Sequence, residues 1–264
     1  MEMPMIGLGT WQMRGSEAAT SVAHAIDIGY RHVDTAQMYE NEAEVGTGIR
    51  AASVPRDQIF VTTKIHQDRF GEGSALDSAQ ASIDRIGVGP VDLILCHWPP
   101  KDVETEQVMG DLLAIRDAGL TRHIGISNFN VPQTKRAAAV GPVLTNQVEF
   151  HPLIDQSRLL QTARDCGMTL TAYAPIMRGK ALSIPTVRDI AAETARSPAA
   201  VVLRWIIQQG VIALCKSSNP DRLAGNLEAN DFTLTDDQMA RITALTAANQ
   251  RDVVMPDWAP DWDA

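Results

Sequence analysis

Short β-branched runs alternate along the chain with longer stretches in which apolar residues return every three or four positions. The short runs read as strands: Met5–Thr10, Tyr30–Thr35, Ile59–Ile65, Val91–Trp98, Arg122–Ser127, Leu144–Glu149, Thr169–Ala174 and Val211–Lys216. The longer stretches read as helices: Glu17–Ile28, Glu42–Ala52, Ser74–Ile86, Glu104–Ala118, Pro132–Val140, Ser157–Cys166, Val187–Ala195 with Pro198–Gln209, and Pro220–Ala229. Val201, Val202, Trp205 and Ile206 show the helical spacing that gathers apolar side chains on one face. Gly29, Gly87, Gly119, Gly167 and Gly210 each follow a predicted helix, where a left-handed cap is wanted.

Strand–helix alternation implies parallel strands joined by right-handed crossovers. An open doubly wound sheet and a closed barrel both satisfy it. Eight units in 264 residues are about the length of one βαβ unit each, and eight even units close naturally. The expected fold is therefore α/β, an (α/β)8 TIM barrel, with 1–264 as a single domain. A further helix, Thr235–Ala247, follows the last unit. The tail from Val253 to Ala264, holding Pro256, Trp258, Pro260 and Trp262, is expected to be irregular and packed on the body.

Composition narrows the partners. Hydrophobic residues make up 45% and the formal net charge is -9. No lysine- or arginine-rich run stands out, which argues against nucleic acid. No apolar run approaches the ~18 residues of a membrane helix. Cys96, Cys166 and Cys215 are widely spaced and odd in number, so they read as reduced thiols of a cytoplasmic protein. The start, Met1-Glu2-Met3-Pro4, shows no signal-peptide pattern. No exposed apolar stripe demands a dimer, so a monomer is expected.

The barrel gives the strand ends a meaning. Residues at the C-terminal ends of barrel strands share one mouth, where barrel enzymes keep their chemistry. Asp34 ends the second strand and Tyr39 lies in the loop beyond. Lys64 ends the third strand, and His97 with Trp98 ends the fourth. A buried lysine wants an anion, and Asp34 is at hand. Charged Lys64 should lower the pKa of Tyr39 and make it a usable proton donor. His97 can orient or polarise a substrate oxygen. Such a cluster suits protonation of an oxygen that becomes an alkoxide as hydride reaches its carbon. Taken singly, each residue has a plainer reading: a turn, packing, a lysine reaching for solvent, a core histidine.

A hydride source needs a site. Gly7-Leu8-Gly9 invites a dinucleotide fingerprint, but the third glycine position is Gln12 and the run lies in the first strand and its turn. The better anion site is Lys216-Ser217-Ser218-Asn219-Pro220-Asp221-Arg222. There Asn219 or Ser218 can cap a helix with Pro220 at its first position.

With these residues in view, the chain resembles the aldo-keto reductase superfamily almost end to end. The likeness rests on Gly29-Tyr30-Arg31-His32-Val33-Asp34-Thr35-Ala36 with Tyr39, on Thr62-Thr63-Lys64, and on His97-Trp98-Pro99. It continues through Gly125-Ile126-Ser127-Asn128-Phe129, Asn146-Gln147-Val148-Glu149-Phe150-His151-Pro152, and Lys216-Ser217 with Arg222 and Asn226. The compact length and the tail Trp258–Asp263 look most like the small bacterial 2,5-diketo-D-gluconate reductase B-like branch. The resemblance implies an NADPH-dependent carbonyl reductase that uses no metal. In it Tyr39 is the general acid, Lys64 and Asp34 tune it, and His97 orients the carbonyl oxygen. Ser127, Asn128 and Gln147 would hold the nicotinamide carboxamide, and Tyr173 would stack on the ring. Gly9 and Thr10 would approach the nicotinamide ribose. The loop Ile176–Lys180 would lie near the pyrophosphate. Lys216, Ser217 and Arg222 would grip the 2′-phosphate, and Asn226 would reach the adenine. Trp11 and Trp98 would line the substrate pocket.

The chain departs from the family pattern in four places. Only six residues precede Gly7, too few for an N-terminal hairpin across the barrel floor. Gly225 stands where a polar side chain often helps hold adenine. Cys215 and Ala174 replace a common proline and serine. The tail is short, which implies an open pocket for small substrates such as methylglyoxal or diketo sugar acids. Two other functions compete. One is a lyase with Lys64 as Schiff-base nucleophile; the other is a regulatory protein that senses NADPH with little turnover.

Overall fold

In the computed structural model, which describes residues 2–71, 73–253, 256, 257 and 259–262, eight strands pair in parallel and in chain order until the last closes on the first. They are β1 (Ile6–Gly9), β2 (His32–Asp34), β3 (Phe60–Ile65), β4 (Val91–Cys96), β5 (Thr121–Ser127), β6 (Thr145–Glu149), β7 (Thr169–Tyr173) and β8 (Ile212–Cys215). Helices α1 (Gly15–Asp27), α2 (Glu42–Ala51), α3 (Ala75–Ile86), α4 (Thr105–Asp117), α5 (Val131–Val140), α6 (Ser157–Asp165), α7 (Pro185–Thr194), α8 (Pro198–Gln208) and α9 (Pro220–Leu227) form the outer layer. The expected (α/β)8 barrel is the observed one. The open sheet is excluded by the β1–β8 register, Ile6 with Ala213 and Leu8 with Cys215.

Period-two alternation sorts the apolar strand residues between two cores. On β3, Val61 and Ile65 join the large cluster beneath the helices. Phe60, on the opposite face, packs inside the barrel with Met3, Leu93, Leu95 and Ile212. The inner face of β3 therefore runs Phe60, Thr62, Lys64 from floor to mouth. At the floor Met3, ahead of β1, closes this cluster. At Gly7 the interior is tight: a Cβ there would lie 2.7 Å from both His32 Nδ1 and Leu214 Cδ2.

His32 sits in this interior, with Nε2 3.1 Å from Thr62 Oγ1 and its ring edge-on to Phe60. Nδ1 has no partner among the described residues. Burial pushes its pKa down to about 4, against a smaller opposing pull from Asp34. Between that value and the ordinary 6.5, the unfolded chain binds the extra proton and the fold does not. Stability from this residue is thus complete above about pH 6.5 and is lost as pH falls toward 4, by roughly 3 kcal/mol in all. Urea unfolding of the wild type and His32→Leu between pH 4.5 and 7 should show a shallower acid slope in the variant. An equal slope would remove His32 as the cause.

Several elements are shorter than the pattern suggests. Tyr30 belongs to the shell rather than to β2: its N–H bonds Ala25 O at 2.9 Å and its hydroxyl donates to Leu223 O at 3.1 Å. Thr10, Thr35, Trp98, Ala174 and Lys216 lie just past their strands, in the loops of the mouth. The helix expected over Thr235–Ala247 is α10 (Asp236–Thr243), started by a Thr235–Gln238 capping box, and then a tighter turn over Ala244–Ala248. The described part of the tail is irregular, as expected. It packs back through Asn130 Nδ2, which donates to Asp261 O at 2.8 Å, and through Arg251, 4.1 Å over the Trp262 ring. Trp258 lies outside the described residues. No helix among the described residues is long and apolar enough to cross a membrane. Cys96 and Cys215 are buried free thiols, and burial pushes the Cys215 pKa up to about 12.

Candidate active site

Lys64 is fully buried, and its ammonium has three acceptors for three hydrogens. It donates to Asp34 Oδ1 at 2.5 Å, to Thr35 O at 2.9 Å and to Tyr39 Oη at 3.1 Å. The other Asp34 oxygen accepts from Gln147 Nε2 at 2.8 Å. The β2–β3 register sets Asp34 beside Thr62, two residues before Lys64 on the same face. Tyr39 is carried by a one-turn 3-10 helix, Gln37–Tyr39, after β2. Asn41 braces that loop, accepting from Thr35 Oγ1 at 2.7 Å and donating to Thr10 O at 2.8 Å.

Burial works to strip the proton from Lys64, but Asp34 and Tyr39 outweigh it and hold the ammonium above its ordinary range. A lysine held charged is no Schiff-base nucleophile. The expected lowering of the Tyr39 pKa is not found. Burial raises it, and the help from Lys64 is opposed by Asp34, so the phenol stays above its ordinary value. A cation already paired to a carboxylate is nearly neutral as seen from a third group. Tyr39 is therefore a fully protonated donor at neutral pH. Its oxygen accepts from Lys64, which leaves its own hydrogen for the cavity.

His97 is held neutral, its pKa well below the usual value, by burial first and then by the charge of Lys64. Its ring meets the Tyr39 ring edge-on at 5.7 Å. Nδ1 is buried without a partner among the described residues. An unpaired buried acceptor costs less than an unpaired buried N–H, so the proton belongs on Nε2, which faces the cavity.

Asp34, Tyr39, His97 and Gln147 line one cavity of about 890 Å³. The other residues singled out for cofactor and substrate line it as well, except Met177 and Lys180 of the loop Ile176–Lys180. Trp11, exposed at 44%, and Trp98 flank the tetrad of Asp34, Tyr39, Lys64 and His97; Gly9 and Thr10 line the cavity with them. Ser127, Asn128, Gln147 and Tyr173 form the opposite wall and are bonded to one another. Ser127 Oγ donates to Gln147 O at 2.8 Å, and Tyr173 Oη donates to Asn128 Oδ1 at 2.7 Å. Asn128 adopts φ 64°, in the left-handed region that asparagine tolerates. At the far end, Asn219 accepts from the N–H of Arg222 at 3.0 Å and starts α9 with Pro220 behind it. Lys216, Ser217 and Arg222 lie at that helix start, and Asn226 lines the cavity from the last turn of α9. Lys216 and Arg222 make no ion pair among the described residues, so two uncompensated cations face the cavity. Where a Cβ on Gly225 would sit, nothing lies within 4 Å. A long cavity with cations and a helix N-terminus at one end and amide groups beside a proton donor at the other fits a phosphorylated dinucleotide.

Sequence reasoning missed Met38, Leu182 and Val253, which also line the cavity, as does Arg178 of the loop Ile176–Lys180. Met38 was within reach as a neighbour of Tyr39. Nothing in the sequence places Val253 there.

A profile of the aldo/keto reductase family matches residues 5–247. The chain belongs to the aldo/keto reductase family. As such it is an NADP-dependent oxidoreductase that reduces carbonyl groups. The methylglyoxal reductase DkgB of Yersinia pestis is 40% identical over 269 residues, covering 100% of both chains. An aldo-keto reductase of Mycobacterium sp. (strain MCS) is 40% identical over 92% of this chain and 87% of the relative. Among solved structures, one of a candidate 2,5-diketo-D-gluconic acid reductase B has TM-score 0.95 and 42% identity, over 99% of this chain and 94% of that one. The Bombyx mori aldo-keto reductase in complex with NADP has TM-score 0.90 and 30% identity, over 98% and 95%.

Proposed function

We propose that this aldo-keto reductase reduces small aldehydes and α-dicarbonyls, methylglyoxal and keto sugar acids among them, with Tyr39 as general acid. The observation that carries the reading is the Tyr39 hydroxyl, which accepts from Lys64 and keeps its own proton for the cavity beside His97. The substrate class is supported by the wall of Trp11, Met38 and Trp98 and by the full-length similarity to methylglyoxal reductases.

NADPH, when bound, supplies the hydride. Lys216, Ser217 and Arg222 are the groups for its 2′-phosphate, with Asn226 toward the adenine. Ser127, Asn128, Gln147 and Tyr173 are the groups for the nicotinamide end, with Gly9 and Thr10 alongside. His97 Nε2–H and Tyr39 O–H converge on the carbonyl oxygen. As that oxygen gains charge, Tyr39 gives up its proton, and the ammonium of Lys64 stabilises the phenolate left behind. An alkoxide is a far stronger base than a phenolate, so the raised Tyr39 pKa does not hinder this step. Asp34 keeps Lys64 charged and in place.

Loss of reduced-nicotinamide absorbance with a panel of small carbonyls tests the reading. Carbonyl-dependent loss is expected with methylglyoxal, while NADPH binding without turnover across the panel would favour a sensor instead. Arg222→Ala should weaken NADPH roughly 10- to 100-fold, the range of a charge-assisted phosphate contact, and leave NADH nearly unchanged. Equal weakening of both would reject the 2′-phosphate role.

A further inference from the structure

Helix α9 carries Arg222 and Asn226 to the cavity, yet little holds it to the barrel. It is eight residues long, and only Leu223 and Asn226 are buried. Its start is shaped from within. Ser217 Oγ accepts from the N–H of Asn219 at 3.1 Å, and Asn219 Oδ1 accepts from the N–H of Arg222 at 3.0 Å. Those bonds set the turn but tie it to no other element. Lys216 and Ser217 differ, because they follow β8 directly and the strand fixes their place.

The tie comes from the first part of the chain. Tyr30 is fully buried between α1 and β2, and its hydroxyl donates to Leu223 O at 3.1 Å. Among the described residues it is the one side chain outside 215–230 that hydrogen-bonds α9. Its own N–H bonds Ala25 O at 2.9 Å, so α9 hangs through it on the corner between α1 and β2. The neighbouring Gly29 comes close as well: a Cβ there would lie 3.5 Å from Leu227 Cδ1. Leu223 and Leu227 are about one helical turn apart, so this corner meets α9 twice on one face. Burial first, and then Cys215, hold the phenol above its ordinary pKa, while a hydrogen bond from Asn226 pulls the other way. The hydroxyl thus commits its hydrogen to Leu223 and leaves its oxygen to accept from Asn226. One buried group bears on both the backbone of α9 and the amide that lines the cavity.

We propose that Tyr30 is a positioning residue: its hydroxyl moors α9 to the barrel so that Arg222 and Asn226 reach the phosphorylated adenosine of the cofactor, and it thereby sets the preference for NADPH over NADH. The proposal rests on the reading of Arg222 as a 2′-phosphate group. Without the hydroxyl, Leu223 O loses a donor in a buried place, and α9 is left with apolar contacts to the corner. Arg222 then meets the phosphate less well, while Lys216 and Ser217, fixed by β8, stay where they are.

Tyr30→Phe removes one oxygen and keeps the ring, so the core that it fills stays occupied. In a fluorescence titration NADPH should bind about three- to tenfold more weakly, the range of one lost hydrogen bond, and NADH no more than about twofold. In steady state the KM for NADPH should rise while kcat stays within about twofold. Amide hydrogen exchange over 220–227 should quicken, with that over α1 unchanged. In an Arg222→Ala background the same change should cost NADPH no more than it costs NADH, because the group that Tyr30 positions is gone. A merely structural role would weaken both dinucleotides alike and would add to Arg222→Ala in full. Either of those results, or unchanged exchange over 220–227, would overturn the proposal. If Arg222→Ala by itself fails to separate the two dinucleotides, the 2′-phosphate reading falls and takes this one with it. A clear separation by Arg222→Ala beside an unaltered NADPH-to-NADH ratio in Tyr30→Phe sinks this one alone.

Discussion

Tyr39→Phe will lower turnover of small carbonyls by about 10²- to 10⁴-fold while NADPH affinity stays within about twofold. The variant keeps the ring that meets His97 edge-on at 5.7 Å and that Lys64 Nζ approaches at 4.7 Å. What it removes is one hydroxyl, whose proton is directed at the cavity beside that of His97 Nε2. Lys64 does not replace it, because it does not line the cavity and Asp34 still holds its proton. His97 can still polarise the carbonyl, which is why the loss should be finite. Steady-state rates together with a fluorescence titration of NADPH decide the matter. Retained turnover would remove Tyr39 as the general acid.

Lys64→Met should cost both stability and turnover. Asp34 would be left buried with one oxygen on Gln147 and no cation, a loss of roughly 3–5 kcal/mol for a broken buried pair. Pairing the change with Asp34→Asn removes the stranded charge, so the double variant should regain most of the stability. It should not regain turnover, because no ammonium then meets the developing phenolate. Urea unfolding and single-turnover rates on the two variants separate these effects. If stability and rate return together, Lys64 acts through the fold alone.

The barrel was legible because its two cores impose two periodicities that survive in the chain. Val61 and Ile65 alternate with Phe60, Thr62 and Lys64, and α8 presents Val201, Val202, Trp205 and Ile206 at helical spacing. The tetrad was legible as a consequence, since Asp34, Lys64 and His97 lie at or next to the ends of neighbouring parallel strands. Asn219 and Pro220 announced the helix start at the far end. Three things were not legible. The 3-10 turn under Tyr39 is too short to show a period. The direction of the Tyr39 pKa depends on distances among three charged or polar groups, which only the folded site sets. The tail's place at the cavity follows from two backbone N–H groups meeting Glu149, and backbone donors carry no residue signature.

The ends of the chain differ in how they bear on handling the protein. Met3 packs among Phe60, Leu93 and Ile212 at the floor, across the barrel from the tetrad. The other end passes Val253 in the cavity wall and returns to Asn130 through Asp261. An affinity tag or fusion partner appended after Ala264 would start within a few residues of that anchorage. One joined ahead of Met3 would lie toward the floor. The same enzyme should therefore give different nicotinamide affinities according to which terminus carries the tag, and untagged or amino-terminally tagged material is the sound reference for kinetics.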